Sequence, residues 1–291
     1  MAVVATGFFD GVHLGHRLVI DTLLRAAQER GEQSVVVTFW PHPRTVLQKD
    51  ARDLRLLTSL SEKREMLSAL GVDRVEVVNF TRDFSRMTAE EYLREWVIGR
   101  LGGTAIVLGY DNRMGSDGLS HDSIVPLAHS LGLDVVECDA VGTISSTKVR
   151  AALSGGDVAA AESMLGYRYG LHGVVVAGNH LGRTIGYPTA NMQLYEPLKL
   201  VPANGVYLVE VETLGRRFHG MTNVGVRPTV SGAGARTIET HIFDFDELIY
   251  GLDISLQFIA KIRDERRFES LDALKSQLSD DEAVCRNLLA K

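Results

Sequence analysis

Two histidines near the N-terminus have a spacing that suits phosphate chemistry. They lie in the string GFFDGVHLGH at positions 7–16, directly after a short apolar run. His13 and His16 are three residues apart, so at the start of a helix their imidazoles share one face. Gly15 between them leaves room for a phosphate or a ribose to approach the backbone. Two imidazoles placed in this way could donate hydrogen bonds to the same phosphate chain.

The place of this string in the chain favours phosphate over the alternatives. A glycine-rich turn between the first strand and the first helix is where an open α/β sheet binds phosphate, because amides at a helix N-terminus face the ligand with positive polarity. One alternative is that His13 is a turn residue and His16 a helix cap. A zinc site is a weaker alternative, since two histidines need at least one more ligand and no HExxH string occurs.

A second polar string, ISSTKVR at 144–150, follows a strand-like run and opens another predicted helix. Hydroxyl and cationic groups at a helix start suit the β- and γ-phosphate oxygens of a nucleotide. Alone, the string could be no more than a helix cap. With the histidine pair it completes a site for transfer at the α-phosphate, which needs positioning and charge neutralisation and no covalent nucleophile. The hydroxyls belong to Ser145, Ser146 and Thr147, and the cationic groups belong to Lys148 and Arg150.

The densest motif in the chain is GNHLGRTIGYPTAN at 178–191. Its glycines let the backbone wrap closely around a ligand. Arg183 can meet phosphate in a forked geometry, and the oxygens of Thr189 and Asn191 suit a hard cation such as Mg²⁺. The alternative is a plain strand-to-strand connection in a barrel. The glycines are Gly178, Gly182 and Gly186.

Glu239 is a carboxylate inside an alternating strand pattern, IETHIFD at 238–244. A carboxylate at such a place needs a partner or a task. No GxxxxGK[ST] string and no HRD or DFG triplet occurs, which excludes the P-loop and protein-kinase classes. The motif at 178–191 is therefore predicted to be a nucleotide loop of another kind.

Parallel strands and helices are expected to position the first site. Short β-branched runs alternate with stretches of helical period in the first half, which is typical of an α/β fold with a parallel sheet and helices on both faces. Capping boxes of Ser59 with Glu62 and of Thr88 with Glu91 mark two helix starts. The predicted strands are 3–6, 35–39, 75–78, 105–108 and 135–136.

The second half of the chain has a different texture. Its strands follow one another with turn residues between them, which indicates an antiparallel sheet or a small barrel. A final helix is predicted over 271–289, introduced by Ser270. A linker is expected between 155 and 166, so the predicted domains are 1–155 and 166–291. The predicted strands are 174–176, 207–211, 218–224, 237–243 and 254–259.

Composition limits the classes of function. The chain has 291 residues, 45% of them hydrophobic, which suits two domains better than one. Its formal charge of -6 is not the basic footprint of a nucleic-acid binder. Cys138 and Cys285 are far apart in sequence, which argues against a disulfide framework or zinc site and fits a reducing cytoplasm. No apolar run approaches the roughly 20 residues of a membrane span, so neither a signal peptide nor a membrane helix is expected.

The strings at 7–16 and 144–150 resemble the HxGH nucleotidyltransferase superfamily, and more narrowly the adenylyltransferase module of bifunctional riboflavin kinase/FAD synthetases. GYDNRMG at 109–115 resembles the third motif of that family, with Met114 where an aromatic is common. The resemblance implies that His13 and His16 bind ATP phosphates and stabilise the pentavalent transition state. It also implies a nucleotide pocket at Gly7, Phe8, Asp10 and Gly15, and a pyrophosphate site at Ser145, Ser146, Thr147 and Arg150.

The second half resembles the riboflavin kinase module of the same enzymes. The resemblance rests on the strings at 178–191, 202–207, 223–229 and 238–245. It implies a six-stranded Greek-key barrel that binds riboflavin and MgATP, followed by a C-terminal helix.

The same resemblance implies roles for individual residues of this module. Thr189 and Asn191 would lie at the metal, and Glu239 would be the base that acts on the riboflavin 5′-hydroxyl. The segment 263–268, which leads into the last helix, would help to cover the flavin. The nucleotide would be bound by Gly178, Gly182 and Arg183.

The sequence therefore predicts an enzyme with small-molecule substrates. Riboflavin would become FMN in the C-terminal module with the γ-phosphate of one ATP, and FMN would become FAD in the N-terminal module with AMP from a second ATP. One rival is an N-terminal module that adenylylates another phosphate acceptor. A rival of another class is a flavin-sensing protein with inactive sites, against which the presence of every expected polar group argues.

Overall fold

The computed structural model describes residues 1–48, 53–109, 113–138, 144–178, 181–227 and 235–290. The chain divides into two compact units, Met1–Ser146 and Thr147–Lys291. The predicted domains place the boundary later in the chain, and that placement stays a prediction. None of the helices in the described stretches is both long and apolar enough to cross a membrane.

The first unit is built on a parallel sheet. Its described strands are β1 (Ala2–Thr6), β2 (Gln33–Trp40), β3 (Arg74–Asn79), β4 (Gly103–Gly109), β5 (Arg113–Met114), β6 (Leu119–Ser120) and β7 (Asp134–Cys138). Five of them form one sheet in the order β3-β2-β1-β4-β7, and every pairing in it is parallel. The strand order changes direction beside β1, and ligands of open α/β sheets bind at such switch points. The predicted α/β class is confirmed.

Helices begin where local signals place them. The described helices of this unit are α1 (Leu14–Arg30), α2 (Pro43–Leu47), α3 (Leu60–Ala69), α4 (Ala89–Glu91), which continues as a π-helix over Tyr92–Arg100, and α5 (His121–Ser130), with a short 3-10 helix over Phe84–Arg86. Both predicted capping boxes are present, at the starts of α3 and α4. A capping box satisfies amides that a helix start would leave unpaired, so these two boundaries are set locally.

Alternate side chains of the strands enter two separate apolar cores. On β1, Val4 joins one core while Val3 and Ala5 join the other. The first core also takes buried residues of α4, its π-helical continuation and α5, and the second takes those of α1 and α3. Both faces of the sheet are therefore covered by helices, as the near-continuous apolar strands predict.

The second unit is a closed barrel with helices at both ends of its sequence. Its elements are α6 (Ser146–Gly155), which starts at the last residue of the first unit, α7 (Val158–Leu165), β8 (Gly170–Val176), α8 (Leu181–Thr184), β9 (Ala190–Leu194), β10 (Gly205–Thr213), β11 (Arg216–Arg227), β12 (Ala235–Ile242), β13 (Asp253–Arg263) and α9 (Leu271–Leu289). The strands close in the order β10-β11-β12-β9-β8-β13, with every pairing antiparallel. The predicted antiparallel barrel and its C-terminal helix are confirmed.

One strand of the barrel was not predicted. β9 begins at Ala190, inside the glycine-rich motif, and pairs with β8 and with β12. Its ladder with β12 joins two residue pairs, Glu239 with Asn191 and Thr240 with Ala190. Three glycines and a proline lie in the twelve residues before this strand, so local composition indicates a loop there.

The last helix seals one part of the barrel core. α9 has the predicted bounds, and the hydroxyl of Ser270 accepts from the amide of Ala273 at 3.1 Å. Its Cys285 is fully buried in a cluster with Val206, Leu208 and Met221. Cys285 and Cys138 are both buried, and neither forms a disulfide.

Candidate active sites of the two units

The turn between β1 and α1 has an unusual backbone. Phe9 and Val12 have φ values of 48° and 35°, and Gly11 has 84°. Positive φ is uncommon for residues with a side chain, and its cost is held at functional sites by the surrounding structure. The turn at 7–16 therefore has a backbone shape that the surrounding structure must maintain, which is typical of a functional site.

Asp10 braces this turn from inside. Its carboxylate accepts the Leu57 amide at 3.0 and 3.1 Å, and the Thr58 amide at 3.0 Å and hydroxyl at 3.2 Å. The Gly11 amide donates to the same Thr58 hydroxyl at 3.1 Å. Asp10 is 5% exposed. A carboxylate with so many donors in a buried place fixes the backbone around it.

The turn delivers the two histidines as a stacked pair. His13 is the N-cap of α1, and its Nδ1 accepts the His16 amide at 3.2 Å. The two rings lie 3.6 Å apart between centroids, with 14° between their planes. The predicted shared face is confirmed. Among the described residues, Nδ1 of His16 is buried without a hydrogen-bond partner.

The environment keeps His16 uncharged. Burial lowers the pKa of His16 well below its usual value, and the nearby charges of His13 and Lys63 lower it further. A buried polar atom without a partner is costly unless a ligand completes it. The pair therefore has the chemistry of a pre-formed hydrogen-bonding site for an anion.

Two glycines of the turn lie so close to aromatic or imidazole rings that a side chain would crowd them. A Cβ on Gly15 would lie 3.2 Å from the His13 ring, and one on Gly7 would lie 3.2 Å from the Phe9 ring. Either contact is tighter than ordinary van der Waals packing, so a side chain would push against the rings that form the site. Gly7 and Gly15 thus serve the geometry of the turn. Phe8 packs its ring against Phe39 at a centroid distance of 5.2 Å.

The string at 144–150 contacts the turn through Ser146, which belongs to the first unit. The Ser146 hydroxyl donates to the Asp10 carbonyl at 2.9 Å, so the first residue of α6 is fixed at the turn. Ser145 directly precedes it. Thr147 and Arg150 continue along α6 and belong to the second unit, where Thr147 is exposed and Arg150 is half-buried. Their predicted role at the pyrophosphate stays a prediction.

The third motif of the first unit contributes to the core. Met114 is 5% exposed and belongs to the apolar cluster that contains α5. Residues 110–112 of this motif lie outside the described part of the chain. The role of this motif at the nucleotide is thus untested.

Two cavities in the second unit share one wall residue, Thr189. One cavity, of about 210 Å³, contains Asn191 and the segment from Phe245 to Tyr250 in its lining. The other, of about 250 Å³, contains Glu239 and Asn223 in its lining. Both sizes suit parts of a small-molecule site.

Strand register brings the predicted residues together. Asn223 on β11 is paired with Glu239 on β12, and Glu239 is paired with Asn191 on β9. Directly opposite residues of neighbouring strands lie on the same face of a sheet. The three polar side chains therefore form one row across three strands. The row passes from the cavity with Glu239 to the cavity with Asn191.

Two glycines of the motif at 178–191 lie where a side chain would not fit. A Cβ on Gly178 would lie 2.2 Å from Nδ2 of Asn191, and one on Gly182 would lie 2.2 Å from the Tyr187 carbonyl. No side chain fits at either position without displacement. The side chain of Arg183 lies outside the described residues, so its predicted phosphate contact is untested.

The segment 263–268 and α9 form another wall of the larger cavity. Arg263 is paired with the buried carboxylate of Asp281, with nitrogen-oxygen distances of 2.8 to 3.0 Å. The guanidinium of Arg266 lies 4.8 Å from the centre of the Phe268 ring. Residues of this wall that line the cavity are Arg263, Glu265, Arg266, Phe268, Leu274 and Leu278.

Several of these wall and anchor residues were not predicted. Asn223 lies in the string at 223–229 that carries the resemblance, which implies no role for it, and Leu274 with Leu278 shows the i,i+4 spacing of any packed helix face. Lys63 has no sequence signal beyond its place after a capping box. In the structure it is buried, and its Nζ donates to the Phe8 carbonyl at 2.8 Å.

Each half of the chain matches one known protein family. Residues 1–152 match the FAD synthetase family, and residues 165–289 match the riboflavin kinase family. The two matches occur in the order in which the two sites occur along the chain.

Curated relatives match over nearly the whole length. The bifunctional riboflavin kinase/FMN adenylyltransferase of Bacillus subtilis is 36% identical over 96% of this chain and 90% of its own. The protein of the same name from Escherichia coli K12 is 38% identical over 98% of this chain and 91% of its own. A crystal structure described as a macrolide-efflux protein from Streptococcus pneumoniae has 34% identity and a TM-score of 0.89, covering 98% of this chain and 94% of its own.

Proposed function

The chain belongs to the family of bifunctional riboflavin kinase/FMN adenylyltransferases, and from this premise we propose that it phosphorylates riboflavin to FMN and adenylylates FMN to FAD. ATP is the second substrate of both reactions. The observation that carries the proposal is that each compact unit has its own constellation suited to phosphate transfer, the stacked histidines in one and the Asn191-Glu239 row in the other. The two activities are accordingly assigned to separate units.

In the second unit, Glu239 is the base for phosphoryl transfer. The riboflavin 5′-hydroxyl oxygen forms a bond to the γ-phosphorus of ATP, the bond from that phosphorus to the bridging oxygen breaks, and ADP leaves. The hydroxyl proton goes to the Glu239 carboxylate. An alcohol is a poor nucleophile at neutral pH, so a positioned proton acceptor is what the reaction requires. The cavity with Glu239 holds the flavin, and the cavity with Asn191 holds the nucleotide.

The donor set beside Asn191 suits Mg²⁺ that arrives with ATP. Thr189 and Asn191 offer neutral oxygens, and no group of three His, Cys, Asp or Glu in the described part of the chain could hold a metal ion alone. Mg²⁺ is usually bound by few protein ligands together with substrate phosphates and water. When bound, it neutralises charge on the phosphates. Gly178 and Gly182 let the loop approach the same nucleotide, with Arg183 as a phosphate ligand.

In the first unit, catalysis rests on placement and neutralisation. A phosphate oxygen of FMN forms a bond to the α-phosphorus of ATP, the bond from that phosphorus to the β-phosphate oxygen breaks, and pyrophosphate leaves. His13 and His16 donate hydrogen bonds to oxygens of the reacting phosphates. Gly7, Phe8, Asp10 and Gly15 form the turn around the nucleotide. The pyrophosphate is held by Ser145, Ser146, Thr147 and Arg150.

The proposal includes a cellular setting. The partners are ATP, riboflavin and FMN, with no role for nucleic acid or membrane, because the sites are suited to small phosphate esters. Both cysteines are buried and neither forms a disulfide, which suits a reducing cytoplasm. The boundary between the two functions lies within 155–166.

Product analysis tests the proposal. The purified chain with riboflavin, ATP and Mg²⁺ should form FMN first and FAD later, resolved by chromatography. Supplied with FMN and ATP, it should form FAD and pyrophosphate directly. Chelation of Mg²⁺ should abolish FMN formation. Production of only one of the two flavins would limit the proposal to one unit.

The competing acceptor for the first unit is tested in the same assay. FMN, phosphopantetheine and nicotinamide mononucleotide are offered with ATP at equal concentration. Pyrophosphate release that occurs with FMN and with neither of the other two acceptors supports FAD synthesis. Faster release with either of the other acceptors would replace FMN as the substrate of the first unit.

A further inference from the structure

Lys63 is a buried ammonium group that the proposed chemistry does not use. It lies on α3, next to Glu62 of the capping box, and is only 4% exposed. Its Nζ donates to the Phe8 carbonyl at 2.8 Å and to the Thr38 hydroxyl at 3.1 Å. Burial of a charge is costly unless the charge is paired or has a task. A lysine at this place therefore calls for an explanation beyond packing.

The atom that Lys63 holds lies at the start of the phosphate turn. The Thr38 hydroxyl also donates to the Phe8 carbonyl, at 3.2 Å, so one backbone oxygen has two side-chain donors. The next residue, Phe9, has a φ of 48°. A backbone in that region keeps its shape only when its surroundings determine it. Lys63 and Thr38 fix the turn immediately before its strained part.

A second brace comes from the same stretch of chain. Leu57 and Thr58 donate to the Asp10 carboxylate at 3.0 to 3.2 Å. Residues 57–63 thus hold the turn on both sides of Phe9. Beyond Asp10 the turn ends at His13, which caps α1. The segment that leads into α3 therefore determines where the imidazoles stand.

The charge of Lys63 also acts on the imidazole pair. Burial is the largest cause of the lowered pKa of His16, and the nearby charges of His13 and Lys63 lower that pKa further. Burial lowers the pKa of Lys63 itself to about 8 against the opposing effect of Asp10, so Lys63 is charged at neutral pH. Two imidazolium ions with centroids 3.6 Å apart would repel each other. A neutral His16 is therefore compatible with the stack, and Lys63 favours it.

We propose that Lys63 is a positioning residue for adenylyl transfer, which fixes the Phe8 carbonyl and keeps the two imidazoles stacked before ATP binds. The role rests on the proposed function of the first unit. The cavity beside Lys63, lined also by Asp10 and Thr58, is about 10 Å³, which is room for about one water molecule. Lys63 acts through the turn and does not contact substrate.

Three variants separate the charge of Lys63 from its packing and its hydrogen bonds. Lys63→Met keeps the length of the side chain and removes the charge and the donors. Lys63→Arg keeps the charge. Thr38→Val keeps the shape of the Thr38 side chain and the charge of Lys63, but removes both hydrogen bonds of the hydroxyl, the one to the Phe8 carbonyl and the one from Lys63. Formation of FMN from riboflavin by the second unit of the same molecules serves as the internal control.

The activity expected of Lys63→Met is a selective loss. Its kcat/KM for FAD formation from FMN should fall about 10- to 100-fold, the size of effect that misplacement of a reacting group causes. FMN formation should be unchanged. Thr38→Val should lose less than about 3-fold, because the ammonium still holds the Phe8 carbonyl. Lys63→Arg should recover part of the activity.

The titration of His16 gives a readout that a merely structural lysine would not move. In NMR spectra of the chain with labelled histidines, the pKa of His16 should rise in Lys63→Met, because a nearby positive charge has gone. It should stay low in Lys63→Arg and in Thr38→Val. Lys63→Met should still fold, with the parental circular dichroism spectrum, because the Thr38 hydroxyl still donates to the Phe8 carbonyl.

Several results would overturn the role of Lys63. It fails if Lys63→Met retains full FAD formation, or if its loss merely follows a lower melting temperature while the titration of His16 does not move. If Lys63→Met does not fold, the role fails when Lys63→Arg allows His16 to titrate normally. If the parent chain makes no FAD from FMN, the proposed function fails instead, and the titration still decides whether Lys63 acts on His16.

Discussion

At the scale of single residues, the first site depends on an imidazole that is buried and uncharged before any ligand arrives. His16→Ala removes the Nδ1 atom that has no partner in the described residues and also the ring that His13 stacks against. We expect FAD formation from FMN to fall by about 10² to 10⁴-fold, the range for loss of one positioned donor or acid-base group. Initial rates of FAD formation, followed by chromatography, measure it.

The same His16→Ala protein carries its own control. FMN formation from riboflavin should be nearly unchanged, because the residues assigned to that reaction belong to the second unit. Circular dichroism should show the parental helix content. Equal loss of both activities in a folded protein would assign His16 a structural role.

Glu239 is the corresponding residue of the second unit. Glu239→Gln keeps the shape of the side chain and removes its basicity. Riboflavin kinase turnover should fall by about 10² to 10⁴-fold, with little change in KM for riboflavin or ATP, since the interaction is made mainly in the transition state. Steady-state kinetics with both substrates varied would show the change in kcat alone.

The alternative for Glu239 is an ion pair with a neighbour such as Arg227 that holds the barrel together. The side chain of Arg227 lies outside the described residues, so the structure leaves this pair as a hypothesis. An ion-pair role requires that Glu239→Gln melts earlier while the folded fraction turns over at the parental rate. Melting and turnover measured on one preparation distinguish the two roles.

At the scale of elements, the loop before β9 approaches Asn191 on β9 closely because Gly178 has no side chain. Gly178→Ala would place a Cβ 2.2 Å from Nδ2 of Asn191, so Asn191 or the loop must move. We expect FMN formation to fall by at least about 10-fold, with a higher Mg²⁺ concentration needed for half the maximal rate, because the assigned metal ligand is displaced. Titration of activity with Mg²⁺ measures both effects.

Gly155→Ala is a matched control in the same unit. Gly155 is the last residue of α6, and a Cβ there would meet no heavy atom within 4 Å. Alanine also favours the helix more than glycine does. This variant should retain full FMN formation and should melt no earlier than the parent chain. Parental activity in Gly178→Ala would refute the need for glycine beside Asn191.

Elements with local signals could be predicted from the sequence, and those defined by distant partners could not. The start of α3 depends on Ser59 and Glu62, three residues apart, and α9 has the predicted bounds because its cap and its periodicity are local. β9 is held by pairing with β8 and β12, and its own residues resemble a loop. Strand pairing across a barrel is set by register, which composition does not reveal.

The candidate sites divide in the same way. His13 and His16 could be paired from their spacing, because a helix start fixes their face. The row of Asn223, Glu239 and Asn191 required three strands to be in register. Lys63 could not be predicted, because its partner Phe8 lies 55 positions away in the sequence. Its contact is made by the packing of α3.

At the scale of the whole molecule, the two family matches coincide closely with the two compact units. The units include the stretch between the matches, which neither match covers. The matches end at 152 and resume at 165, while the second compact unit begins at Thr147. α7 lies in this stretch, and its Val158, Ala161 and Leu165 are buried. This stretch therefore packs like part of a domain.

Hydrogen bonding gives the same stretch a definite place in the second unit. The Leu153 carbonyl, near the end of α6, accepts from the Ala203 amide at 2.9 Å. Gly156, with a φ of 83°, leaves space beside Lys261 and the Tyr207 hydroxyl, because a Cβ there would lie 2.8 Å and 3.0 Å from them. Both contacts would be lost if the chain were cut at residue 166.

The last prediction is that the kinase is separable and that the position of the cut determines its stability. A fragment of residues 147–291 should fold cooperatively and form FMN from riboflavin, but no FAD from FMN. A fragment of residues 166–291 keeps the barrel, α9 and both cavities, so it should form FMN as well. It should melt at a lower temperature, because removal of α7 exposes apolar surface that Val158, Ala161 and Leu165 bury. Thermal melts followed by circular dichroism, with FMN formation assayed on the same samples, compare the two. Equal melting temperatures would show that α6 and α7 do not stabilise the barrel, and a folded 147–291 fragment without kinase activity would show that the two functions are not modular.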